Sequence, residues 1–124
     1  MVSAREALRD ADVLIAQHAL KSAVNRLYYG AFYAARALLA TRGLDSARHS
    51  GVIALFQQHF VKTGLVSVEV FRSFPRAFEK RLDVDYGDYA TVTDDESRAI
   101  RTTVQAFVDE CERILEQIIT ESPN

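Results

Sequence analysis

Nine residues, Asn25-Arg26-Leu27-Tyr28-Tyr29-Gly30-Ala31-Phe32-Tyr33, place an amide, a guanidinium and three phenols in an otherwise apolar stretch. From Ala23 to Ala40 the only strongly polar side chains are Asn25, Arg26 and Arg36. An unpaired amide or guanidinium in a core is costly, so Asn25 and Arg26 need partners, either protein groups or a ligand. A guanidinium beside phenol rings suits a nucleotide: the cation meets phosphate, and rings such as Tyr29 and Tyr33, one helical turn apart, stack on a base. The same rings serve equally as plain core. A second constellation is Arg81 and Asp85, at i and i+4 on the face of Phe78 and Leu82. It reads either as a helix-surface ion pair or as a cleft arginine held by its acid. Arg72, Arg76 and Lys80 form a stripe at four-residue spacing that either meets phosphates or faces water.

Other chemistries find no support in the residues. His18, His49 and His59 lack metal-ligand spacing and have no cysteine beside them, so no zinc site is expected. The lone Cys111 lies on an apolar stripe and reads as core. There is no Gly-rich phosphate loop and no Ser with a His-acid pair, so no metal and no cofactor are expected. Net charge is −2, which gives no bulk attraction to nucleic acid or membrane; anion binding must come from a local patch. The N-terminus lacks the shape of a signal peptide, and Arg26 and Arg36 argue against a membrane span over 23–40. With one cysteine no intrachain disulfide forms, and a cytoplasmic protein is expected.

The elements that must hold these residues are helices. At 124 residues, 48% hydrophobic and 26% charged, the chain suits a single domain, 1–124. Ser3-Ala4-Arg5-Glu6 has the form of a capping box opening a helix that runs to about His18. A second helix runs from near Leu20 to Gly43, a glycine suited to a left-handed C-cap. Its Gly30, Ala31, Ala34 and Ala35 let another helix approach closely. A third helix is expected from about Arg48 to Thr63, closed by Gly64, with Val52, Phe56 and Phe60 as its stripe. Ser67 opens a fourth, which Pro75 kinks or splits. Phe71, Phe74, Phe78 and Leu82 face inward, and Tyr86-Gly87-Asp88-Tyr89 leaves the helix. Thr93-Asp94-Asp95-Glu96 is a second capping box, and the rhythm of Ile100, Val104, Phe107, Cys111, Ile114 and Ile118 marks a long last helix. The sum is an all-α, up-and-down bundle of about five helices.

Four blocks in order, Asn25-Arg26-Leu27-Tyr28-Tyr29, His49-Ser50-Gly51-Val52, Ala77-Phe78-Glu79-Lys80-Arg81 and Asp85-Tyr86-Gly87, make the chain resemble the HEPN family of higher eukaryotes and prokaryotes. The resemblance runs from the first capping box to the last helix. It implies a nucleotide- or RNA-binding bundle, commonly a homodimer, often paired with a minimal nucleotidyltransferase in a toxin–antitoxin or stress module. It implies ligand-binding roles for Asn25, Arg26, Tyr29, Arg81, Asp85 and Tyr86. It also raises nucleotide transfer to a tyrosine such as Tyr86 or Tyr89.

Active members of that family are metal-independent ribonucleases in which four to six residues separate an Arg from a following His. After Arg81 the histidine would fall at Tyr86, Gly87 or Asp88, and none is His, so the signature is degenerate here. Arg42 and His49 satisfy the spacing by count, but Gly43 and a turn separate them. RNA cleavage needs a base for the 2′-hydroxyl and an acid for the leaving oxygen; histidine supplies both near neutral pH, whereas arginine only stabilises charge. Tyrosine, with a pKa near 10, is a poor substitute. Three readings stay open: a binding domain without the reaction, a ribonuclease toxin using His49 with Arg42 or Arg81, and a non-catalytic structural adaptor.

Overall fold

The second helix of the chain is apolar almost all round because it is the axis of the bundle. In the computed structural model, which describes residues 1–87 and 91–121, α2 (Leu20–Ala40) packs against α1 (Val2–Ala16), α3 (His49–Phe56), α5 (Ser73–Tyr86) and α6 (Asp94–Glu121). A single helical turn, α4 (Val68–Phe71), precedes α5. No strand occurs among the described residues. The chain is an all-α helical bundle, and no helix among the described residues is long and apolar enough to cross a membrane.

The small residues of α2 meet α1. A Cβ on Gly30 would stand 3.3 Å from Leu8 Cδ2 and 3.6 Å from the Ala4 carbonyl, so the two helices approach to near backbone contact. Arg5, next to Ala4, fastens α1 to α6 through Asp109 and Glu112, each at 2.8 Å. The core itself is a chain of rings: Phe56 lies 5.1 Å from Phe60, 5.9 Å from Phe71 and 5.2 Å from Phe107, and Phe107 lies 5.5 Å from Phe74. Phe74 in turn stacks on Tyr28 at 6.1 Å, which carries the aromatic core up to the polar cluster.

Helix ends follow their local chemistry in most places. Gly43, at φ +67°, closes α2 with Leu44 N–H donating to Leu39 O (3.0 Å) and Gly43 N–H to Ala40 O (3.1 Å). Thr93 and Glu96 exchange the two reciprocal bonds of a capping box, both 3.1 Å. The fourth expected helix is split at Arg72, and Pro75 falls in the first turn of α5, where a missing N–H breaks no intrahelical bond.

Two boundaries differ from the sequence reading. Ser3 and Glu6 do not form a capping box: α1 already begins at Val2, and Arg5 N–H donates to Met1 O at 3.1 Å. Met1 packs against the core, and that docking draws the first turn back past Ser3. The third helix does not run regularly to Thr63. After Phe56 it widens into a π-turn over Gln57–Val61, with Lys62 N–H donating to Gln57 O, and ends at Gly64 with φ +84°. Helix α5 ends at Tyr86; Asp88 and Tyr89 lie outside the described residues.

Candidate functional site

Tyr28, Phe32 and Arg36 recur every four residues along α2 and so project from one face. Against that face come the first residue of α3 and the C-terminal half of α5. The ring of His49 stacks on Phe32 at 4.6 Å and lies nearly parallel to Tyr28 at 5.6 Å. Its Nδ1 is 2.8 Å from the Tyr28 hydroxyl and 3.4 Å from a terminal nitrogen of Arg81. The guanidinium of Arg81 sits over two rings at once, 5.2 Å from the centre of Tyr28 and 5.3 Å from that of Tyr29. Arg26 lies 5.1 Å from the same Tyr29 ring and bonds to Asn25 Oδ1 through Nε and a terminal nitrogen, both at 3.3 Å.

Carboxylates only partly neutralise this cluster. Asp85 stands 3.4 Å from Arg81 Nε, an atom that is buried with no hydrogen bond among the described residues. Asp45 pairs with Arg36 at 2.8 Å. The Ser46 N–H bond and then Arg36 hold its carboxyl below the usual range. Arg26 meets an amide and a ring but no carboxylate among the described residues. Burial, then Arg81 and Arg36, lower the pKa of His49, because each disfavours a second positive charge there. Tyr28 is fully buried, and that burial raises the pKa of its phenol and keeps it protonated.

The loop between α2 and α3 completes the site. Ser46 Oγ accepts from Arg48 N–H at 3.2 Å, and a Cβ on Gly51 would come within 2.1 Å of that oxygen and 2.9 Å of Ser46 Cβ. Only glycine lets the loop fold onto α3 in this way. Phe32, Arg36, Asp45, Ser46, Ala47 and His49 line an open pocket of about 510 Å³ beside the cluster.

Of the residues singled out from the sequence, Asn25, Arg26, Tyr29, Arg81 and Asp85 converge, with Tyr29 shared by both arginines. His49 joins them. Arg42 does not: its guanidinium lies over Phe60 at 4.4 Å and donates to the His59 carbonyl at 3.0 Å. The turn at Gly43 reverses the chain between Arg42 and His49, so their spacing in sequence brings no contact. Tyr86 stands 82% exposed at the end of α5. Lys80, in the basic stripe, is held by Glu96 at 2.9 Å and by the Thr91 carbonyl at 3.1 Å. Tyr28, Phe32, Arg36 and Asp45 were missed as site residues. The four-residue spacing of the first three is the signal that marks them.

Residues 1–114 match the HEPN domain, and the chain belongs to that family. A UPF0332 protein of Thermotoga maritima is 40% identical over 115 residues, spanning 93% of this chain and 87% of the relative. A protein of Methanocaldococcus jannaschii named "Putative toxin MJ0605" is 32% identical over 116 residues, 94% of this chain and 86% of the relative. A UPF0332 protein of Gloeobacter violaceus is 38% identical over 87 residues, 70% of this chain and 69% of the relative.

Proposed function

We propose that this chain binds the phosphate of a nucleotide or RNA strand where α2, the start of α3 and the end of α5 meet, and that it works beside a minimal nucleotidyltransferase in a toxin–antitoxin or stress module. The observation that carries the binding reading is the meeting of Arg81 with His49, two polar side chains 32 residues apart, over the rings of Tyr28 and Tyr29. Arg81 and Arg26 supply positive charge beside a ring suited to stack on a base, and Arg26 meets no carboxylate among the described residues. Fluorescently labelled mononucleotides and tRNA test this. At least one is expected to bind, and Arg81→Ala to weaken it tenfold or more, the loss of a charge-assisted hydrogen bond of about 1.5–3 kcal/mol. Flat titrations with every probe would reduce the cluster to a packing device and leave the adaptor reading.

A second reading is a metal-independent ribonuclease toxin. It is favoured by His49 reaching Arg81 through space, where the segment after Arg81 has no histidine, and by relatives whose names carry the word toxin. It expects growth arrest on expression and RNA cleavage in chelator, both abolished by His49→Ala. Cleavage that survives this change removes His49 from the mechanism.

A further inference from the structure

Two donors converge on one nitrogen of His49. Arg81 can only donate. The Tyr28 hydroxyl has no other partner among the described residues and is sealed in the core, so it donates as well. A proton on Nδ1 would face the Arg81 guanidinium at 3.4 Å and leave the phenol hydrogen without an acceptor. We propose that Tyr28 and Arg81 fix His49 as the tautomer with Nδ1 bare and the proton on Nε2, so that His49 meets a phosphate as a hydrogen-bond donor and not as a base. Tyr28 is thus a positioning residue, acting through His49. What the ring then does to a ligand rests on the binding reading above; which nitrogen carries the proton does not.

The charged groups beside the ring are Arg36, Arg81 and the Asp45 carboxylate, and the two arginines favour its neutral form. From α2 come Tyr28, Tyr29, Phe32 and Arg36; from α5 come Phe78 and Arg81; from the loop comes Asp45, already held by Arg36. The two arginines oppose protonation, and the rings bury the ring face. Nδ1 is turned to Tyr28, while the residue also lines the open pocket, so the opposite edge, with Nε2, is the one left for a ligand. In this tautomer Nε2 holds no lone pair to take a proton from a 2′-hydroxyl.

The test is long-range proton–nitrogen NMR of protein labelled with nitrogen-15 histidine, with His49 assigned by its loss in His49→Gln. In the wild-type protein near pH 7.5, Nδ1 is expected to give an acceptor-type shift and Nε2 a donor-type shift. Tyr28→Phe is expected to bring the two shifts together as tautomers mix, while Tyr29→Phe leaves them apart. A protonated Nδ1 in the wild-type protein overturns the proposal, and that measurement stands even if Tyr28→Phe fails to fold. Unchanged shifts in a folded Tyr28→Phe protein overturn the role of Tyr28. Titration with inorganic phosphate, 5′-AMP and a short RNA is then expected to move Nε2. A correct tautomer with no response to any of the three overturns the binding reading alone.

Discussion

His49 connects the chemistry of the site to the stability of the protein. Its pKa in the fold lies below its ordinary value of 6.5, through burial, Arg81 and Arg36. Between the two values the unfolded chain binds more protons than the folded one, so stability rises with pH there. The His49 contribution is complete above about pH 6.5 and is lost as pH falls through the lower, folded value. Urea midpoints measured from pH 7.5 down to 5 are expected to decline, and His49→Gln is expected to flatten that decline. An equally steep decline in the variant would assign it to other groups. Cys111, by contrast, contributes only packing: burial pushes its thiol well up and keeps it unreactive.

Helix α3 matters through its first turn. It carries His49 to the cluster only because the preceding loop folds back over Gly51, and the loop is held by Asp45 on Arg36 and by Ser46 on Arg48. Gly51→Ala places a methyl 2.9 Å from Ser46 Cβ, which rotation of the hydroxyl cannot relieve, so the loop or the helix start must move. The expected outcome is a stability loss of about 1–3 kcal/mol, with His49 signals shifted in NMR. Adding Ser46→Gly is expected to restore most of both. If Gly51→Ala alone leaves the His49 signals in place, the loop does not position the ring. At the other end of the chain, the reciprocal bonds between Thr93 and Glu96 and the Lys80–Glu96 pair fix where α6 begins relative to α5, which carries Arg81.

The bundle holds these parts because one ring-rich core joins four helices. Phe107 of α6 is fully buried between Phe56 of α3 and Phe74 of α5, and Phe74 touches Tyr28 of α2. Phe107→Ala is expected to cost about 3–5 kcal/mol, measured by urea unfolding, as for other large-to-small changes in a packed interior. A loss under 1 kcal/mol would mean that the core collapses around the gap and that the rings are not a shared support. Because Tyr28 belongs to both the core and the site, loosening this core is also expected to weaken the hold on His49.

Periodicity and caps made the helices legible. The apolar α2, the stripe of α6, the glycine at the end of α2 and the Thr93 box are local signals, set by residues within a turn or two of one another. Asn25 and Arg26 on α2 and the Arg81–Asp85 pair on α5 were legible as candidates because polar groups on apolar faces need partners. Contacts beyond a turn or two were not. Arg42 matched the spacing to His49 only by count, and the Schellman turn at Gly43 sends it to Phe60 and the His59 carbonyl. That Arg81 and Tyr28 hold His49 follows from α3 and α5 docking on one face of α2, and no spacing along the chain encodes the angle and depth of such docking. Those are decided when the whole core packs, since each helix settles where its rings and small residues fit the others.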